Sequence, residues 1–335
     1  MSNIKEIAQQ AGVSTMTVSR YFNNPEKLSE KAKEKIKKVI NEIDYQPNEI
    51  ARSMRAKKTL LVGVVIPDIR NPFFNHCYYA IEEYFNKLGY SILLCNSKED
   101  PVEELKYIKL LSARQVDGII LMPVSEESIE VLVRKKKSYV LVDRVFEGVK
   151  GNYIIGDHYK GAFDAVSHLT ALGHKKVGII KGGNHLFPYA ERYRGYVAAL
   201  EVCGIPLTAD LVKEALPEQT TAYECMNELL SLPKGSRPTA IFACNNLMCQ
   251  GAIKSIYEHG LKIPDDISII SFDPLPAHEI LKPAITCVAQ PVYELGEKAA
   301  ELLYQKLIGE GEEDKHLVIK PELIHGDSCS SPKED

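Results

Sequence analysis

Beyond Leu60 the chain alternates short runs rich in β-branched residues with stretches of helical spacing, and it does so twice. Runs at residues 60–67, 91–95, 118–122 and 139–142 are followed by a second set at 177–180, 240–244 and 267–272. Alternation of this kind predicts parallel sheets with helices on both faces. Two successive series, separated near Asp157, predict two similar lobes. Open α/β sheets take ligands at the carboxyl ends of their strands, so a cleft between the lobes is the expected site.

The 335 residues exceed what one such series needs and suit two or three folding units. A chain that is 45% hydrophobic and 26% charged, with no long low-complexity tract, reads as globular rather than disordered or fibrous. The first ten residues are polar and no run of about 18 apolar residues occurs, so neither an export signal nor a membrane span is expected and the protein is placed in the cytoplasm. Eight cysteines (Cys77, Cys95, Cys203, Cys225, Cys244, Cys249, Cys287, Cys329) include no C-x-x-C pair. In a reducing compartment they read as small buried hydrophobes or free thiols, with no disulfide framework, no metal site and no cofactor expected.

Charge is unevenly distributed. Residues 1–58 hold twelve Lys and Arg against seven Asp and Glu, a net of +5 that leaves −9 for the rest of a chain whose total is −4. A basic head on an acidic body suits a polyanion-binding module joined to a domain that does not bind nucleic acid, although a solvated helix face would also explain the lysines. Local pattern favours the first reading. Asn3 followed by Glu6 has the spacing of a helix cap with its reciprocal carboxylate, and Ile4, Ile7, Ala8 and Ala11 share a face. Gly12-Val13-Ser14 then breaks the helix: Gly tolerates a tight turn, Val13 can plug the core, and Ser14 can cap the next helix. This is helix-turn-helix spacing.

On the second helix Val18 faces inward, leaving Thr15, Met16, Thr17, Ser19 and Arg20 outward. Arg20 can fork onto guanine, Thr15 and Met16 can reach base edges or a thymine methyl, and Thr17, Ser19 and Asn23 suit phosphate oxygens. A third helix from Ser29 to about Ile43 carries Ala32, Ile36, Val39, Ile40 and Ile43 at helical spacing and closes the core. After Tyr45-Gln46-Pro47, Asn48 can cap a helix of one or two turns, too short to be stable alone in water, which orders when paired or on DNA.

The segments Ile4-Lys5-Glu6-Ile7-Ala8, Ala11-Gly12-Val13-Ser14, Thr17-Val18-Ser19-Arg20 and Tyr45-x-Pro47-Asn48-x-x-Ala51-Arg52 resemble the head of the lactose repressor (LacI/GalR) family. The likeness continues through Ile66-Pro67-Asp68-x-x-Asn71-Pro72-Phe73-Phe74, Val116-Asp117-Gly118, Val142-Asp143-Arg144, Asp157-x-x-x-Gly161-Ala162, His168-Leu169-x-x-Leu172-Gly173-His174, Arg192-x-x-Gly195-Tyr196 and Val288-x-Gln290-Pro291. It implies a small all-α helix-turn-helix head plus an α/β periplasmic-binding-protein-like body of two doubly wound lobes. The expected boundaries are a DNA-binding domain over 1–46, a hinge helix and linker over 47–58, an effector-binding and dimerisation domain over 59–330, and a flexible tail over 331–335. Within the body, one lobe takes about 59–156 plus 288–315 and the other about 157–287 plus 316–330.

By the same resemblance Thr15, Met16 and Arg20 read the operator, and the hinge segment carrying Asn48, Arg52 and Met54 enters the minor groove. Met54 stands where Leu is common and takes over its wedging role. Phe73 and Phe74 would flank a sugar or base ring, Asp157 and Arg192 would hydrogen-bond the ligand, and Phe272 and Asp273 lie near the same wall. Asn246 stands where the family usually has Asp, His158 where Asn is usual, and Pro274 where Asp is common. A carboxylate lost at 246 removes repulsion toward an anion, so an effector such as a sugar acid or sugar phosphate, helped by Arg192, His185 or Arg144, is one expectation beside a neutral sugar.

An enzyme is disfavoured because there is no G-x-S-x-G, P-loop, dinucleotide glycine motif or metal-spaced His pair. A transporter's solute receptor would need an export signal and has no use for a helix-turn-helix. The expected protein is therefore a transcriptional regulator, a repressor by preference, that acts as a homodimer on a near-palindromic operator and whose lobes close on a small carbohydrate-type effector.

Overall fold

The computed structural model describes residues 4–43, 58–276, 280, 282–311 and 314–333, and the chain divides into two compact units, Met1–Thr59 and Leu60–Asp335. In the first, α1 (Ile4–Ala11), α2 (Thr15–Asn23) and α3 (Glu30–Glu42) enclose Ile7, Ala8, Ala11, Val18, Ile36 and Val39, with Val13 packed against them. Gly12 turns the chain at φ 65°, where a side chain would be strained. Ser14 caps α2 by accepting the Thr17 N–H at 3.1 Å, and Ser29 caps α3 through the Ala32 N–H at 3.4 Å.

The second unit holds two six-stranded sheets. The first is built from β1 (Leu61–Ile66), α4 (Pro72–Lys87), β2 (Ser91–Asn96), α5 (Pro101–Ala113), β3 (Gly118–Leu121), α6 (Glu126–Arg134), β4 (Ser138–Val142) and β5 (Asn152–Gly156). The second contains α7 (His158–Ala171), β6 (Val177–Lys181), α8 (Phe187–Val202), β7 (Val212–Glu214), α9 (Gln219–Ser231), β8 (Ala240–Ala243), α10 (Asn246–Glu258), β9 (Ser268–Phe272) and β10 (Thr286–Ala289). The chain then returns through α11 (Val292–Ile308) and β11 (His316–Ile319) and ends on β12 (Glu322–Ile324).

Both sheets run in one order. β2-β1-β3-β4-β5 is matched by β7-β6-β8-β9-β10, all parallel, with β11 added parallel to β5 and β12 antiparallel to β10. The central strands β1, β3, β4, β6, β8 and β9 are buried on both faces, as parallel strands between two helical layers must be, and the cores form separate clusters in the two lobes. The chain changes lobe after β5, after β10 and between β11 and β12. Among the described residues no helix is long and apolar enough to cross a membrane, and no cluster of three or more His, Cys, Asp or Glu is placed to hold a metal ion.

Two expected boundaries shift. Residues 316–319 are expected in the second lobe, but His316–Ile319 pairs with Tyr153–Gly156 of the first, because the alternate residues Leu317 and Ile319 pack on that lobe's core. The return to the first lobe comes after Ala289 rather than residue 287, since Cys287–Ala289 is held between β9 and β12. The expected tail stays with the second lobe as far as Lys333, whose ammonium lies 2.8 Å from Asp266.

Candidate ligand-binding site

The carboxyl ends of the strands in both lobes meet at a cleft. After β1, Asn71 caps α4 by accepting the Phe73 N–H at 2.9 Å, with Pro72 in the first helical position where its missing N–H costs nothing. The helix start turns Phe73 and Phe74 inward, edge to face at 5.2 Å. After β4 come Asp143 and Arg144; the Arg144 fork donates two 2.7 Å bonds to Glu99, just beyond β2. From the second lobe come His158 at the start of α7, Arg192 on α8, Asn245 and Asn246 at the start of α10, and Asp273 after β9.

The duplication has a chemical consequence. Asp143 and Asp273 each come directly after the fourth strand of their own series, and both adopt the left-handed conformation (φ 65° and 64°), which Asp tolerates better than most side chains. Each lobe thus brings one buried carboxylate to the cleft. Burial pushes Asp143 up from its ordinary range against the pull of Arg192 and Arg144. Burial pushes Asp273 up to about 6 despite Arg192 and a 2.9 Å bond from Gln290.

Arg192 is the hub between them. It is 3% exposed and lies 3.6 Å above the Phe272 ring, donates to the Cys244 carbonyl and, at 3.2 Å, to His158 Nδ1, and sits 3.9 Å from Asp273. Its placement depends on Gly195 one turn later, where a Cβ would come 2.3 Å from the Tyr159 carbonyl; glycine lets α8 press onto α7 and bring Arg192 to His158. Because a guanidinium only donates, His158 Nδ1 accepts and the ring proton sits on Nε2, 3.3 Å from the Asp143 carbonyl. Burial, reinforced by the Arg192 and Arg144 charges, holds the His158 pKa well below its ordinary 6.5.

Two adjoining spaces share Phe73 and Asp273. One, among Phe74, Asp143, Arg144, Tyr189 and Arg192, has about 20 Å³, room for one water. The other, about 750 Å³, is walled by Tyr79, Asn246, Leu275, Gln290 and Tyr293, and is the size of a small-molecule pocket. Five buried polar atoms of their walls have no hydrogen-bond partner among the described residues. They are the acceptors Asp143 Oδ1, Asn246 Oδ1 and Gln290 Oε1 and the donors Arg144 Nε and Arg192 Nε. Native proteins leave few such atoms, so their concentration here makes these spaces the candidate site for a polar ligand.

Of the residues singled out from sequence, Phe73, Phe74, Arg144, Arg192, Asn246 and Asp273 line these spaces. Phe272 does not; it is the floor on which Arg192 rests. Asp157 caps α7 by accepting the Lys160 N–H at 3.0 Å, and His185 is exposed, its ring folded back against Gly183, because Leu186 and Tyr189 take the inward positions of that turn. Sequence reasoning missed Glu99, Tyr79 and Tyr293. Glu99 was detectable as an acid just beyond a strand end; the tyrosines lie on helix faces that carry no such signal. In the head, Thr15, Met16 and Arg20 are exposed on α2, Thr17 and Ser19 are half-buried, and the Thr17 hydroxyl lies 2.8 Å from Ser14 Oγ. The Asn23 side chain and the hinge residues Asn48, Arg52 and Met54 lie outside the described residues.

A neutral, buried His158 makes a pH test. Below 6.5 the unfolded chain takes up a proton that the folded chain refuses, so the stability this histidine gives is present above 6.5 and lost as the pH falls. Relative to His158→Asn, the protein should lose about 1.4 kcal/mol for each pH unit below that point. Denaturant unfolding of both proteins at pH 7.5, 6.5 and 5.5 measures it; a stability gap independent of pH would mean that the ring protonates in place.

Comparison with known proteins agrees with this geometry. Residues 3–48 match the family model for bacterial regulatory proteins of the lacI family, and residues 166–329 match that for a periplasmic binding protein-like domain. The chain is 33% identical to the HTH-type transcriptional repressor PurR of Pasteurella multocida over 99% of both chains. Among solved structures it superposes on the lac repressor dimer bound to operator and the anti-inducer ONPF with a TM-score of 0.86, at 25% identity, over 98% of this chain and 99% of that one. It also superposes on a transcriptional regulator CelR–cellobiose complex with a TM-score of 0.74, at 25% identity, over 98% of this chain and all of that one.

Proposed function

Since this chain belongs to the lacI family of bacterial regulatory proteins, and is with its relatives a DNA-binding transcriptional repressor carrying an effector-binding body rather than an enzyme, we propose that its effector is a neutral, hydroxyl-rich molecule of the sugar class. The observation that carries this is the set of unpartnered atoms, the acceptors Asn246 Oδ1 and Gln290 Oε1 on the larger space and Asp143 Oδ1 with the Arg144 and Arg192 Nε donors around the smaller one. A hydroxyl donates to the two acceptors on the larger space, and its oxygen can accept from a water in the smaller one, whereas a carboxylate or a fully ionised phosphate brings acceptors only. The similar CelR protein is a cellobiose complex, and a 750 Å³ space suits a ligand of one or two rings.

The sugar acid or sugar phosphate expected from the exchange at 246 is less well supported. Both guanidiniums already face carboxylates, Arg144 that of Glu99 and Arg192 that of Asp273, and His185 lies elsewhere. The Asn246 amide N–H goes to Asn71, so the group left over is a carbonyl, which repels an anion as a carboxylate does, only less. Isothermal titration with neutral mono- and disaccharides and with their acid and phosphate counterparts tests the reading. At least one neutral sugar should bind about tenfold or more tighter than its charged forms; the reverse order would overturn it.

For the head, Thr15, Met16 and Arg20 are the base-reading side chains, Thr17, Ser19 and Asn23 hold phosphates, and Asn48, Arg52 and Met54 belong to a hinge that enters the minor groove. Two heads on a near-palindromic operator call for a homodimer in the cytoplasm, where the operator is. Light scattering at micromolar concentration should give twice the chain mass of 37.4 kDa; a stable tetramer or a monomer would refute this.

A further inference from the structure

One hydrogen bond joins the walls of the cleft through residues 175 positions apart: Asn246 Nδ2 donates to Asn71 Oδ1 at 3.2 Å. Both side chains are buried, Asn246 completely. Asn71 is the cap of α4 in the first lobe, and Asn246 is the first residue of α10 in the second, where Asn245 caps the helix by accepting the Met248 N–H at 2.7 Å. Each amide is therefore held on a rigid helix start, and the bond exists only while those two helix starts are together.

The chemistry of the pair is one-directional. Asn71 Oδ1 already accepts the Phe73 N–H, so its oxygen, not its nitrogen, is fixed toward the helix start and toward residue 246. Whatever stands at 246 has to donate. An amide does; a carboxylate would set acceptor against acceptor in a buried site. The amide at 246 thus has two ends with two duties. Its N–H binds the other lobe, and its carbonyl, unpartnered among the described residues, is left for a ligand in the adjoining space.

We propose that the Asn71–Asn246 pair is a latch that holds the two lobes of the body closed before the effector arrives, and that Asn246 thereby sets how far the closed state is populated in the free protein. The proposal deepens the reading of the cleft as the effector site, on which its regulatory meaning rests, but the latch itself is defined without any ligand. Effector affinity scales with the population of the competent state, so a latch that raises the closed population tightens a ligand that binds the closed form. The other polar contacts between walls are weaker candidates: His158 Nε2 reaches the Asp143 carbonyl at 3.3 Å, and Gln290 reaches Asp273 from a crossing segment that stays near both lobes.

Hydrogen–deuterium exchange on the full chain without ligand tests it, with variants Asn246→Asp, Asn71→Ser and the double variant. Serine caps a helix about as well as asparagine but is too short to reach across, so Asn71→Ser removes the latch and keeps α4. Each single variant should lower the closed-to-open ratio by roughly tenfold or more, the worth of one buried hydrogen bond whose partner is left unpaired. Exchange should rise in the wall segments of both lobes, residues 68–76, 143–146, 188–192 and 244–250, and stay unchanged in β3 and β8. The double variant should exchange no faster than either single one, because both remove the same bond. No rise, a rise confined to the substituted segment, or additive effects would overturn the latch. None of these outcomes depends on a sugar, so a failed sugar titration leaves the latch standing and a failed latch leaves the sugar reading standing.

Discussion

Replacing Arg192 by methionine is expected to destabilise the body by about 3–5 kcal/mol, the usual cost of removing one partner from a buried charged cluster, and to abolish effector binding. Methionine fills much of the same volume, so the loss is electrostatic rather than a cavity effect. Without the guanidinium, the Cys244 carbonyl and His158 Nδ1 lose their donor, and Asp143 and Asp273 lose the charge that lowers their pKa values most. The loss depends on pH in a fixed direction. In the variant both carboxyls titrate higher still, and a folded-state pKa above the unfolded one gives stability that is present at low pH and lost as pH rises through it. The penalty should therefore be smaller at pH 5 than at pH 8. Urea unfolding of both proteins at the two pH values measures this; a penalty under 1 kcal/mol at both would mean that Arg192 is not the hub of the cleft. Arg192→Lys should fall between, since an ammonium keeps the charge but cannot stack on Phe272 while serving two acceptors at fixed angles.

That hub is partly visible in the sequence, for a physical reason. Strand runs that are apolar on both faces announce themselves, and 91–95, 118–122, 139–142, 177–180, 240–244 and 267–272 each fall within a residue or so of an observed strand. Strands β5, β7, β10, β11 and β12 escape that signal: β7 and β12 are three residues long, β11 sits at a sheet edge with alternating exposure, and β5 begins with a polar Asn-Tyr pair. Site residues at strand ends, such as Arg144 and Asp273, are legible because the fold class fixes where strands deliver their side chains. Asp157 and His185 occupy similar positions in the chain but are used locally, one as a helix cap and the other on an outward turn. What the residue types could not disclose is pairing. Glu99 meets Arg144 and Asn71 meets Asn246 only because distant segments are folded together, and the exchange at 246, read as a lost charge, is better understood as a gained donor.

If Arg20 reads a guanine as proposed, Arg20→Ala in the head should weaken operator binding by about 2–6 kcal/mol for a dimer, one fork of about 1–3 kcal/mol from each copy. Arg20 lies in the last turn of α2 and is exposed, so its removal leaves the head core of Ile7, Ala8, Val18 and Ile36 intact. Competition binding against operators carrying every base at each position separates two roles. A base-reading Arg20 leaves a variant that no longer discriminates at one base pair of each half-site while its affinity for random DNA falls much less. A phosphate-holding Arg20 weakens all sequences equally and reduces the salt dependence by roughly one counterion per head. Met16 supplies the control. It is 65% exposed, an unusual place for so apolar a side chain, and it lies one turn before Arg20 on the same face. Contact with a thymine methyl would cover it, and Met16→Ala should then cost affinity at an A·T pair adjacent to the guanine read by Arg20, with no change in salt dependence because no charge is lost. If both substitutions weakened binding uniformly across sequences, α2 would be holding the backbone, and the base-reading element would have to be sought elsewhere in the head.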